Sequence, residues 1–293
     1  MRTSHLLLAL IVVAIWGVNF AVIKLGLREV SPLALGVWRF ALAVFPWIFF
    51  VKRPKVPMRL VVSYGLLIFA LQFGLLFTGM QIGMSAGLAS LILQLQVFFT
   101  IGLSVLILGE RPAVWQLAGA LLAFGGVVIV ALHVGGDVTI VGLTLLVAAA
   151  ASWGAGNVVS KLISQQAAAV NMLGLVVWGS LVALPPLSVC ALLLDREAFL
   201  ASFVGLDWVS LGSIAYIVYL STLFCFAVWS SLLARYQVST VAPFTLLVPV
   251  FGFLGSAALL GEPLQGWKFA ASGLVVAGLG LNLFGPRLFA SRR

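Results

Sequence analysis

Ten apolar stretches of about twenty residues each follow one another along this chain with scarcely a charge inside them, and that pattern restricts the fold more than any other feature. A helix rises about 1.5 Å per residue, so about 20 apolar residues cross a hydrocarbon core of about 30 Å. Breaking the chain at charges, prolines and polar clusters places the stretches near 5–27, 32–51, 60–81, 86–108, 113–133, 138–161, 170–194, 209–230, 238–260 and 266–286. Hydrophobic residues make up 63% of the 293 and charged residues only 8%, against about a quarter charged in a soluble domain. Backbone groups in lipid must bond within their own segment, which selects helices here. The expected fold is an all-α polytopic membrane protein with ten transmembrane helices.

The first stretch follows Met1 to His5, continues past Trp16 to Leu25 and lacks a small-residue cleavage pattern, so it reads as a retained helix. The formal charge of +9 would suggest nucleic acid in a soluble chain. In this one the basic residues fall in short loops, so no nucleic-acid partner is expected and the bilayer itself is the first partner. With the N-terminus cytoplasmic, the inner side holds eleven cations: Arg2, Lys52, Arg53, Lys55, Arg59, Arg111, Lys161, Arg235, Arg287, Arg292 and Arg293. The outer side keeps four, Lys24, Arg28, Arg196 and Lys268. This bias predicts both termini inside and a multi-pass inner-membrane protein. Cys190 and Cys225 fall toward opposite membrane faces, so no disulfide is expected between them.

The phrase WGVNFAVIK at 16–24 returns as WGAGNVVSK at 153–161. A displacement of 137 residues pairs Trp16 with Trp153, Gly17 with Gly154 and Lys24 with Lys161. Trp38 and Pro46 pair with Trp178 and Pro186 at a displacement of 140, and Tyr64 with Tyr216 and Glu110 with Glu262 at 152. The growth is most simply the polar stretch Asp195 to Asp207. Two halves follow, 1–136 and 137–293, each with five spans. An odd number makes the second half enter the membrane in the opposite sense, so the halves are inverted repeats. That architecture is common among secondary transporters, which expose a midplane site to each side in turn.

WGVNFAVIK, the WRF at 38–40, and AGLASLILQLQ at 86–96 followed by LGER resemble the EamA family of the drug/metabolite transporter superfamily. The resemblance spans nearly the whole chain and implies two five-helix EamA repeats. KRPKVP at 52–57, QFGLLF at 72–77 and LARYQVSTVAPFTLLVPV at 233–250 are similar to members of that family that export O-acetylserine and cysteine. The resemblance therefore implies an exporter of small amino-acid metabolites working by alternating access. The alternatives are a permease for another solute, such as aromatic amino acids or drug-like compounds, and more remotely an intramembrane enzyme.

Candidate residues follow from polarity at membrane depth. Trp16 and Asn19 share one helix face, as do Trp153 and Asn157. Both pairs read either as cavity lining or as helix contacts, in which Gly17, Gly154 and Gly156 admit a neighbour. Gln72, Gln94 and Gln96 need partners, because an unsatisfied amide in hydrocarbon costs several kcal/mol. Gln94 and Gln96 point about 200° apart on a regular helix, so one is expected to meet solute and the other a neighbouring helix. Arg39 is the one charge deep within a span, and its planar fork suits a substrate carboxylate or backbone carbonyls. Lys24, Lys161, Glu110 and Glu262 are placed at helix ends, as topology anchors or as gates; the family resemblance puts the first and sixth helices, with Lys24 and Lys161, around a central cavity. Pro243 and Pro249 interrupt the ninth span and free backbone acceptors opposite the amides of the fourth.

No phosphate loop of the GxxxxGK[ST] type and no HExxH occurs, so no ATPase activity, metal or cofactor is expected of this polypeptide. No carboxylate lies in mid-membrane for a proton relay. Facilitated efflux remains, or exchange in which Glu110 or Glu262 titrates at a mouth.

Overall fold

The structure, a computed structural model, describes residues 2–135, 138–166, 171–236 and 238–290. The junction of the two halves at 136 and 137 lies outside them, as do Arg292 and Arg293. Among the described residues nine helices are long and apolar enough to cross a membrane. They are α1 (Thr3–Gly26), α2 (Pro32–Phe49), α3 (Met58–Gln81), α4 (Ala86–Leu108), α5 (Val114–Leu132), α6 (Ile140–Gln166), α7 (Met172–Leu194), α8 (Trp208–Trp229) and α10 (Gly266–Gly285). A shorter apolar helix, α9 (Phe244–Leu260), completes the order.

Several boundaries differ from the expected ones for local reasons. The α-helical part of α2 stops at Val44, two residues before Pro46, and Trp47–Phe49 continues as a 3-10 turn. α6 runs on to Gln166, so Lys161 sits inside the helix and not at its end, a correction to the expected placement. The polar stretch between α7 and α8 folds a short helix, Arg196–Ala201, and Asp207 then caps α8 by accepting from the Ser210 amide at 2.8 Å.

Backbone irregularities recur between the halves at the displacement of 152 residues. α3 carries a π-helical segment at Gly65–Leu71 and α8 one at Tyr216–Phe224. α4 passes through a 3-10 turn at Leu93–Leu95 and resumes at Gln96; a 3-10 stretch Ala242–Leu247 precedes the α-helix that begins at Val248. Both of these helices end on a left-handed glycine, Gly109 at φ 67° and Gly261 at φ 65°. There the amides of Glu110 and Glu262 reach back to the carbonyls of Ser104 and Ser256. A left-handed residue with a Cβ costs about 1–2 kcal/mol, which accounts for glycine at both ends.

α1 packs along α9, α4 along α6, α2 against α7, and α5 against α10. Small residues set the distances: a Cβ at Gly126 would meet the Ala271 carbonyl at 2.7 Å, and one at Gly119 the Gly278 carbonyl at 2.6 Å. The turn between α3 and α4 is strapped to the segment before α6, where the Thr139 amide donates to the Gly83 carbonyl at 3.0 Å. Both cysteines are free thiols, Cys190 exposed and Cys225 buried.

Candidate functional site

The repeated phrase is first a packing device, and it packs the same way twice. A Cβ at Gly17 would fall against Phe251 Cβ, 2.7 Å from the Val248 carbonyl and 2.9 Å from the Gly252 amide. One at Gly154 would fall 2.7 Å from Phe99 Cβ, 2.9 Å from the Thr100 amide and 3.1 Å from the Gln96 carbonyl. Phe99, Thr100 and Gln96 are the counterparts of Phe251, Gly252 and Val248. The α1–α9 contact is thus the α6–α4 contact of the other half, and each needs a residue without a side chain.

The polar groups beside these glycines differ. Asn157 donates from Nδ2 to Gln96 Oε1 at 2.5 Å and to Thr100 Oγ1 at 3.1 Å, tying α6 to α4. The α9 counterparts of Gln96 and Thr100 are Val248 and Gly252, which have no hydrogen-bonding side chain. Asn19 is buried, and its Oδ1 has no partner among the described residues. Trp16 donates to the Ser221 carbonyl at 3.0 Å and lies among Phe226 and Trp229 of α8, whereas Trp153 is half-buried against the core.

The two glutamines of α4 serve opposite sides of that helix. Gln94 donates to the Thr245 carbonyl at 3.1 Å, in the 3-10 stretch leading into α9, while Gln96 is held by Asn157 of α6. In this conformation both amides bond neighbouring helices. Gln94 of α4 and the irregular backbone of α9 do meet as donor and acceptor, directly and with each other. Pro249 is buried at the start of the regular part of α9; Pro243 belongs to the 3-10 stretch and its side chain lies outside the described residues.

Arg39 is 4% exposed. Its Nη2 donates to Thr222 Oγ1 at 3.0 Å, and the guanidinium lies 3.9 Å from the centroid of Phe73. Nε and Nη1 have no hydrogen-bond partner among the described residues. Thr222 is held in turn by the Ile217 carbonyl, five residues back in the π-helical segment of α8. Gln72, in α3 next to Phe73, is 1% exposed and its Nε2 also has no partner among the described residues.

The four candidate gate residues separate into two ends. Lys24 donates to the carbonyls of Met80 and Met84, the second at 3.0 Å. Glu262 accepts from the amides of Ala86 at 2.8 Å and Gly87 at 3.3 Å, at the start of α4. With Leu27, Arg28, Gln81 and Leu260 they line a cavity of about 400 Å³. At the other end Lys161 forms an ion pair with Glu110, both exposed.

Thr100 and Thr222 complete the polar contacts and were not singled out from sequence. Thr100 stands four residues after Gln96 on one helix face, a readable signal. Thr222 reaches its carbonyl through an i−5 bond that no residue pattern announces. The letters GMSAG at 83–87 spell the G-x-S-x-G of a nucleophile elbow, but Ser85 is buried between two helices and caps α4 through the Leu88 amide. Among the described residues no group of three His, Cys, Asp or Glu could hold a metal ion.

Helices that repeat in backbone irregularity and in contact, with interior polar groups that have no partner among the described residues, make a polytopic helical membrane protein of two like halves. The chain belongs to the EamA-like transporter family, whose model matches residues 3–132 and again 140–284. A protein of Salmonella typhimurium named a probable amino-acid metabolite efflux pump is 43% identical over 98% of this chain and 97% of its own. One of the same name from Escherichia coli is 44% identical over 96% and 95%. A solved crystal structure superposes with a TM-score of 0.66 over 98% of this chain and 99% of that one, at 18% identity, a likeness of fold.

Proposed function

We propose that this protein exports small amino-acid metabolites across the bacterial inner membrane. It does so by alternating access between its two halves, 1–136 and 137–293, with both termini cytoplasmic. The bias of basic residues supports the orientation, and the two family matches support the division. The two enterobacterial relatives, named for amino-acid metabolite efflux, support the solute class.

The observation that carries the substrate reading is Arg39. A guanidinium at the centre of a membrane helix costs about 2.5–3.5 kcal/mol on insertion scales, and a buried charge keeps its place when something pairs with it. Of the acidic residues, Glu29, Glu110, Asp195, Glu197, Asp207 and Glu262 stand outside the ten helices, and Asp137 lies outside the described residues. Among the described residues Arg39 has no partner for Nε and Nη1 beside its bond to Thr222. A metabolite's carboxylate is the group that fits such a fork, through parallel N–H···O bonds. Among the described residues the Gln72 Nε2 and the Asn19 Oδ1 are likewise without a partner, a donor and an acceptor of the kind a zwitterion needs.

Overexpression in a bacterial host raises extracellular cysteine-pathway metabolites if this reading holds. Arg39→Gln abolishes that rise at equal membrane protein level and Arg39→Lys keeps part of it. Export unchanged in Arg39→Gln removes Arg39 from the site, and no rise with the unaltered protein removes the solute class.

A further inference from the structure

The repeat predicts equivalent surroundings for equivalent residues, and at the gates the surroundings differ. Lys24 and Lys161 are counterparts, as are Glu262 and Glu110. At one end, Lys24 of α1 and Glu262 after α9 both hold the α3–α4 turn: the ammonium on the carbonyls of Met80 and Met84, the carboxylate on the amides of Ala86 and Gly87. The carboxylate meets the positive end of the α4 dipole, and the lysine meets the carbonyl end of α3. The residues that correspond to those partners, at the displacement of 152, are Leu232, in the helical stretch Cys225–Arg235 that continues α8, Tyr236, which caps it, and Val238 and Ser239 after it. Among the described residues Lys161 and Glu110 hold neither; their side chains pair with each other, each 44% exposed, while Lys24 and Glu262 are half-buried.

We infer that these four residues form a double clasp that shuts one mouth at a time. In the conformation described, the Lys24 and Glu262 clasp is closed on the α3–α4 turn and the Lys161 and Glu110 clasp is disengaged, its charges parked on one another. In the alternate conformation the roles exchange. Lys161 takes the carbonyls of Leu232 and Tyr236, Glu110 takes the amides of Val238 and Ser239, and Lys24 with Glu262 forms the parked ion pair. Each switch trades an exposed ion pair for charge-assisted bonds to backbone ends, and the repeat supplies matching sets at both mouths. Neither state then needs a ligand of its own to be held shut. The inference rests on the alternating-access reading above, not on the identity of the solute.

Spin-label distances test it in the full-length protein in liposomes, without substrate, in a background with Cys190 and Cys225 replaced by alanine. One label pair spans the first mouth, at Arg28 and Ile82; the other spans the second, at Ser164 and Arg235. Lys24→Ala or Glu262→Gln shifts the populations several-fold, lengthening the first distance and shortening the second together. Lys161→Ala or Glu110→Gln shifts both pairs the other way or leaves the present state fully populated. Lys24→Arg, which keeps a donor for the two carbonyls, retains the unaltered distances. A Lys24→Ala protein whose first mouth widens while the second stays unchanged overturns the clasp, because local loosening alone does that. Solute export measured on the same variants reports separately on the transport reading, so loss of one does not decide the other.

Discussion

At the level of single residues, the interior divides its polar groups into those already engaged and those still open. Gln96, Asn157 and Thr100 form a closed cluster between α4 and α6, and Thr100 also donates to the Gln96 carbonyl at 2.7 Å. Interhelical hydrogen bonds of this kind average about 0.6 kcal/mol and reach about 1.7 in membranes. Asn157→Leu and Gln96→Leu are therefore each expected to lower stability by about 1 kcal/mol, and the double variant by little more than either alone, because one bond joins them. Thermal unfolding in detergent checks this; additive losses would show that the cluster does not act as a unit. The residue types were legible in sequence, since amides at membrane depth demand partners. Their pairing was not: Gln94 and Gln96 bond to different neighbours, and only the spatial order of α4, α6 and α9 says which. Arg39 was legible as an isolated charge, whereas its seat on Phe73 of α3 and Thr222 of α8 lies beside the π-helical segments of both helices.

At the level of helices, the WG phrase places a residue without a side chain where two backbones meet. Substitution of Gly17 or Gly154 by alanine puts a methyl group within 3 Å of backbone atoms of the facing helix, so each is expected to destabilise by about 1–3 kcal/mol. Gly102→Ala, in α4 with nothing within 4 Å of the added Cβ, is expected to be neutral or stabilising by up to about 1 kcal/mol. Equal losses at the three positions, measured in one detergent series, would contradict the close-approach account. Nine of the helices were legible because length and apolarity decide them in lipid, whereas α9, expected over 238–260, is the shorter apolar helix Phe244–Leu260 among the described residues. Proline announced the irregular entry to α9, but the matching turn at Leu93–Leu95 contains none. That turn shows in the sequence only as the repeat partner of a proline-bearing segment. The run of α6 beyond Lys161 was missed because a single lysine resembles a helix end, although the helix continues past it.

At the level of the whole molecule, one five-helix plan is used twice and diverges where chemistry begins. Backbone irregularities, terminal glycines and the α1–α9 and α4–α6 contacts repeat, while Gln94, Gln96 and Asn157 have no equal polar set in the other half. A shared scaffold whose interhelical polar contacts differ between the halves is compatible with the proposed alternation around an asymmetric solute. The membrane orientation proposed from the basic residues predicts that a reporter fused after Arg293 is active in the cytoplasm; activity confined to the periplasm would reverse every assignment of inner and outer mouth. Transport of small amino-acid metabolites by this polypeptide alone is what a counterflow assay decides. Purified protein in liposomes preloaded with unlabelled O-acetylserine or cysteine should accumulate the labelled compound transiently, without ATP, and Arg39→Gln should not. Accumulation of aromatic amino acids or drug-like compounds in place of these would contradict the solute class, and no counterflow with any small amino-acid metabolite would contradict the account itself.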